Sequence, residues 1–219
     1  MRQLFIIFSL LLTGIIHVFP QYNADPSEYL FDGYQDAIVI YKDGKQFQVP
    51  VNYNLLMKRF LFLDALNDNK PMEFGEINKI SAIKVDKRIF YISNKMEAIE
   101  VLQFSPGIWV YYQGKIKDEG KNAGYGGKSH TTAVESYSRI ESGGLTHFLA
   151  GEKKKLDGVK MVYQIEMGKK KKKVMNLTQF YNLFPAHKTQ LKAYVEANTI
   201  DFSDTQQMVG LCNYALSLN

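Results

Sequence analysis

The chain has 219 residues, 46% of them hydrophobic and 22% charged, with a formal net charge of +5. That is too apolar for a disordered polymer, and about 200 residues can bury a core as one large domain, or one domain with an appendage, without covalent staples. A single cysteine, Cys212, excludes an internal disulfide framework.

The first twenty residues carry the clearest signal. After Met1, Arg2 and Gln3, an apolar run from Leu4 to Phe19 is broken only by Ser9, Thr13, Gly14 and His17. One positive charge ahead of roughly 15 apolar positions has the length and flank of an export signal. Residues 1–20 are therefore expected to be a signal peptide or an N-terminal anchor. The protein is expected to be exported, either to the periplasm or in association with an outer membrane. Pro20 is a poor residue to cleave after, and Tyr22-Asn23-Ala24 has a bulky first position. A slightly short apolar segment can span a thin bilayer, so the anchor stands beside the cleaved signal. No cysteine follows the run, which excludes a lipoprotein anchor.

From Asp36 the pattern has period two. Ala37 to Tyr41 is β-rich, Asp43-Gly44 is a two-residue hairpin signal, and Phe47, Val49 and Val51 alternate with Gln46, Gln48 and Pro50. Pro50 cannot donate to a ladder and predicts an edge or strand end there. A strand is expected at Phe60 to Leu63, then a polar turn at Asn67 to Pro71. Period two continues through Ile83 to Val85, Ile89 to Ile92, Ala98 to Phe104 and Ile108 to Ile116, with turn material between. Residues 118–132 are polar and glycine-rich and predict an exposed mobile loop. Val134 to Ile140 resumes the pattern, and Val159, Met161, Tyr163, Ile165 and Met167 alternate most cleanly. Short connections between such strands favour antiparallel pairing as a meander.

After Lys173 the period becomes helical. Asn176 with Gln179 resembles a capping box, Leu177, Phe180, Tyr181 and Phe184 form one stripe, and Pro185 ends it. Leu191, Tyr194 and Val195 mark a second helix ending near Asn198. Ser203 with Gln206 opens a third, whose Met208, Leu211, Cys212 and Ala215 share one face. On that stripe Cys212 reads as a small buried hydrophobe.

The charge is local. Residues 151–192 hold eleven lysines, five of them at Lys169 to Lys173, against three acids, whereas residues 21–150 hold fifteen basic and sixteen acidic groups. Such a patch suits acidic lipid, anionic polysaccharide or nucleic acid, the last being least available outside the cytoplasm. The plain alternative is a solvated hairpin edge. Trp109 and Tyr111 share a strand face, and with Tyr125 in the adjoining loop they could stack on sugar rings. They could equally be amphipathic rim residues.

Catalytic signals are weak. Asn122 to Ser129 ends like a phosphate loop, but Asn122 stands where that motif needs glycine, and β-patterned sequence follows. His130, His147 and His187 are too widely spaced to suggest a metal site, and Ser129-His130 adjacency does not make a triad. Ser81 and Lys84 have serine-x-x-lysine spacing in a strand rather than a helical turn. Asp118, Glu119, Glu135 and Glu141 are scattered carboxylates without the spacing of a glycosidase pair. No cofactor and no metal are expected.

The Asp43-Gly44 hairpin, Val51 to Leu56 with Phe62-Leu63-Asp64, the Gly124-Tyr125-Gly126 loop, Phe180 to Pro185, Leu191 to Tyr194 and Ile200-Asp201-Phe202 together resemble uncharacterised exported proteins of Bacteroidetes-type bacteria. The resemblance implies export and this domain order, and transfers no activity or site residue.

The expected fold is α+β. An antiparallel β-meander at 21–173, an open barrel or sandwich, precedes a C-terminal three-helix segment at 174–219. The expected function is a non-catalytic binding or structural role in a cell envelope, toward a protein partner, glycan or anionic surface. Its candidate binding residues are Lys169, Lys170, Lys171, Lys172, Lys173, Trp109, Tyr111 and Tyr125. The alternatives are a periplasmic carrier of a hydrophobic ligand inside a curled sheet and, third, a hydrolase.

Overall fold

A computed structural model describes residues 28–116, 121–123, 127–129, 139–142, 145–148 and 156–218. The expected signal or anchor lies outside the described residues, as does Tyr125. The period-two stretches become strands β1 (Gln35–Tyr41), β2 (Gln46–Asn54), β3 (Arg59–Asp64), β4 (Lys70–Glu73), β5 (Ile80–Val85), β6 (Arg88–Ile92), β7 (Ala98–Gln103) and β8 (Ile108–Ile116). Two short hairpins follow, β9 (Lys121–Ala123) with β10 (Gly127–Ser129) and β11 (Arg139–Ser142) with β12 (Leu145–Phe148). Last come β13 (Leu156–Met167) and β14 (Lys170–Val174).

Ten strands form one antiparallel sheet in the order β14-β13-β8-β7-β6-β5-β1-β2-β3-β4. The path is not a single meander. Strands β1 to β4 step outward from the sheet's middle in one direction. The chain then returns through a 3-10 turn at Ile77–Lys79, places β5 on the other side of β1, and steps outward the opposite way. The sheet is open, with β4 and β14 as its edges, but it curls. The Leu55 carbonyl accepts from Gly114 N at 3.1 Å. Tyr53 Oη donates to the Tyr112 carbonyl at 3.1 Å. These bonds reach from β2 to β8 across the inner face, past four intervening strands.

Alternation decides what fills that face. Val39, Val51, Tyr53, Phe60, Ile83, Phe90, Val110, Tyr163 and Ile165 are buried at every second position of their strands, as period two requires. The incoming chain closes one side. Asn52, itself buried, donates to the Phe31 and Gly33 carbonyls and accepts from Phe31 N.

Helices α1 (Leu177–Leu183), α2 (Lys188–Ala197) and α3 (Thr205–Ser217) join the same hydrophobic core. Asn176 caps α1 by accepting from Gln179 N at 2.8 Å, while the Gln179 side chain accepts from Met175 N. Met208, Leu211, Cys212 and Ala215 are fully buried, as the stripe predicts. Gln103 and Asn213 exchange hydrogen bonds that tie β7 to α3, and Tyr163 Oη donates to the Phe202 carbonyl at 3.0 Å. No helix among the described residues is long and apolar enough to cross a membrane.

Several boundaries differ from expectation. Lys70 and Pro71 belong to β4 rather than to a turn, because an edge strand tolerates proline. The third helix is capped by Asp204 rather than Ser203, its carboxylate accepting from Gln206 N and Gln207 N. The described parts of the expected loop at 118–132 pair as a hairpin, β9 with β10. Pro50 lies inside β2, opposite Asp36 of β1, rather than at an edge or strand end, and the β2–β3 ladder begins one residue later, at Val51.

Candidate functional site

The lysine run folds as the edge of the sheet. Gly168, at φ +61°, supplies the left-handed turn that sends β13 back as β14. The register pairs Glu166 with Lys171 and Gln164 with Lys173. The same Gln164 pairs with Trp109 on the far side of β13. Three adjacent strands therefore place Lys171, Lys173, Trp109 and Tyr111 on one outer face, although the lysines and aromatics lie far apart in sequence.

Contacts on that face are specific. Lys171 Nζ stands 4.1 Å from the centre of the Trp109 ring, and Lys173 Nζ 4.2 Å from that of Tyr111. Tyr111 Oη donates to Gln164 Oε1 at 3.0 Å. Trp109 lies against Gly107, where a Cβ would stand 2.1 Å from the indole. Glu166 is turned away from the lysines, its Oε2 accepting from Gly107 N at 2.9 Å. Lys169 to Lys173 are all exposed, and among the described residues none of them makes an ion pair. Lys170 and Lys172 point to the opposite face from Lys171 and Lys173, the face of buried Val174.

With a lysine over one indole face and Gly107 against the ring, Trp109 is occupied. The aromatic pair is not a bare shelf, since each ring has an ammonium group above it. A cation held over an aromatic face gains about 0.5–1 kcal/mol at an exposed site. That restrains the lysine stems without neutralising their charge.

A second charged cluster, not foreseen in the sequence, sits inside the curl. Arg88 on β6 donates Nε and Nη2 to Glu100 on β7 at 2.7 and 2.9 Å, and Tyr112 on β8 donates its hydroxyl to the same carboxylate. The guanidinium also lies over Phe31, Phe90 and Tyr112, at 4.9, 5.1 and 5.4 Å from their ring centres. Glu100 is 4% exposed. Burial first, then the Glu100 charge, drives the Tyr112 hydroxyl far above the ordinary phenol range. Every polar atom of that carboxylate is engaged, so the cluster reads as a clamp across three strands. Its one trace in the sequence was an acid, Glu100, two residues after Ala98 in a β-patterned stretch.

Of the remaining catalytic candidates, Ser81 and Lys84 lie in β5 as expected. His187 ends a 3-10 turn, its Nδ1 3.1 Å from Gln190 Oε1. His130, Asp118, Glu119 and Glu135 fall outside the described residues. Cys212, wholly buried, has its thiol pushed by desolvation from an ordinary 9.0 up to about 12. No group of metal-ligating side chains occurs among the described residues. No family model matches the chain, and neither a curated protein nor a solved structure matches it.

Proposed function

We propose that this chain is a non-catalytic exported envelope protein that binds an anionic partner through the lysine edge of its sheet. One observation carries the reading. Five consecutive lysines, Lys169 in the turn and Lys170 to Lys173 on the edge strand, lie exposed without an ion pair among the described residues, and two are restrained over aromatic rings. A charge already matched by a neighbour has little left for a ligand; these charges are unmatched among the described residues. Export rests on the apolar head at Leu4 to Phe19 and on the resemblance to exported Bacteroidetes-type proteins.

The inner face argues against the carrier. Tyr53, Phe60, Phe90 and Tyr163 fill it with rings, and the helices add Phe180, Phe184 and Leu191 to the same core. Hydrolysis is disfavoured because the best-buried carboxylate, Glu100, is spent on Arg88 and Tyr112.

The test is retention on a uronic-acid polysaccharide resin and co-sedimentation with phosphatidylglycerol vesicles, at low and high salt. The full chain should be retained by at least one of these at low salt and released at high salt. A variant with Lys169, Lys170, Lys171, Lys172 and Lys173 all replaced by Gln should be retained by neither. Equal retention of that variant, or no retention of the parent at low salt, would overturn the proposal.

A further inference from the structure

We infer that the lysine edge takes its partner as an added strand: an extended acidic polypeptide segment pairs with the free side of β14 and lengthens the sheet by one. This rests on the anion-binding reading and states how the edge is used.

Among the described residues β14 is hydrogen-bonded to β13 alone, so half of its backbone groups face away from the sheet. The two edges are built differently. At the far edge, β4 has four residues and includes Pro71, which lacks an N–H and blunts pairing. Strand β14 contains no proline and keeps a donor at every position.

The side chains point the same way. Lys170 and Lys172 project to one face, Lys171 and Lys173 to the other. A bilayer or polysaccharide lying on one face meets only half of them. A strand laid along the edge alternates with the same period and presents carboxylates to both sets, opposite-charge pairs being the favourable cross-strand arrangement. A second copy of β14 is excluded, because it would set lysine opposite lysine. The charges that repel a second copy therefore select an acidic strand.

The experiment titrates the full chain with an acetylated, amidated octapeptide in which Glu-Glu and Thr-Thr pairs alternate, so that carboxylates fall on both faces of the added strand. A second peptide of the same sequence and charge is N-methylated on every amide. Amide hydrogen exchange is followed across Lys170 to Val174. The unmethylated peptide should bind and slow exchange in β14, and methylation should weaken binding at least about tenfold, since several ladder bonds are lost. Equal binding of both peptides without added protection would overturn the strand while leaving anion binding intact. Binding to phosphatidylglycerol vesicles but to neither peptide would assign the edge to a membrane surface and overturn the inference. Failure of peptides, vesicles and polysaccharide alike would overturn the lysine-edge reading itself.

Discussion

Among the described residues a cation stands over aromatic rings in two regions, with opposite results. Inside the curl, Arg88 lies among Phe31, Phe90 and Tyr112 and meets Glu100 through two hydrogen bonds. On the outer face, Lys171 and Lys173 stand over Trp109 and Tyr111, and the carboxylate of Glu166, the residue paired with Lys171, is turned to the Gly107 backbone. The difference is the carboxylate. Where the chain supplies one, charge, donors and desolvation are satisfied internally and the cluster holds strands together. Where it is withheld, the rings fix the ammonium groups and leave their charge for something else.

The comparison breaks most sharply if the inner cluster is dispensable. Arg88→Ala leaves Glu100 buried without its counter-charge and should cost about 3 kcal/mol of stability, read by urea unfolding. Replacing Arg88 with Met and Glu100 with Leu together should recover most of that loss, because no unpaired charge is then left in the interior. A double variant as unstable as Arg88→Ala would mean that packing, not charge, is what the pair provides. Next in size is Gly107→Ala. The added Cβ would start 2.1 Å from the indole, so Trp109 must leave its seat at a cost of about 1–3 kcal/mol. Trp109 is the only tryptophan, so a shifted emission maximum and easier quenching report the change directly.

Much of this frame was legible in the sequence. Strands with strict alternation, such as Val159 to Met167, the Asp43-Gly44 turn and the Met208 to Ala215 stripe announce themselves through local geometry. The strand order was not legible, because the return of β5 to the flank of β1 is fixed by burial of Val39 against Ile83, which no local pattern encodes. The lysine run and the aromatics were each visible. Their union was not, since it depends on Gln164 pairing with Trp109 on one side and Lys173 on the other. The Arg88–Glu100–Tyr112 clamp was hidden for the same reason: three ordinary residues on three strands meet only through register.

The buried interior should also respond to alkali. Desolvation raises the phenols of Tyr53, Tyr112 and Tyr163 above their ordinary 10.0, and Cys212 from 9.0 to about 12. A raised folded-state value means that the folded chain holds its protons longer than the unfolded one. Stability is then whole below about pH 9 and declines as pH climbs toward 12 and beyond. The inner phenols donate to fixed acceptors, so ionising them also breaks hydrogen bonds. Unfolding free energy should be flat from pH 7 to 9 and then fall steadily; Tyr112→Phe should shallow that fall. Cys212 should resist a thiol reagent at pH 8 until the chain is unfolded, and fast labelling of the native protein would show that the α3 face opens.

The smallest stability effect belongs to the outer face. Lys171→Met and Lys173→Met should each change stability by no more than about 0.5–1 kcal/mol, the range for an exposed cation over a ring. A double-mutant cycle of Lys171→Met with Trp109→Leu should give a coupling of similar size. If the lysines are kept for binding, the same substitutions must weaken retention on an anionic partner far more than they weaken the fold. The inner cluster should show the reverse ratio, with Arg88→Met costing stability and leaving retention of the folded fraction unchanged. A lysine variant that loses stability and retention in parallel would place Lys171 in the same class as Arg88, as a structural cation whose partner is the ring beneath it.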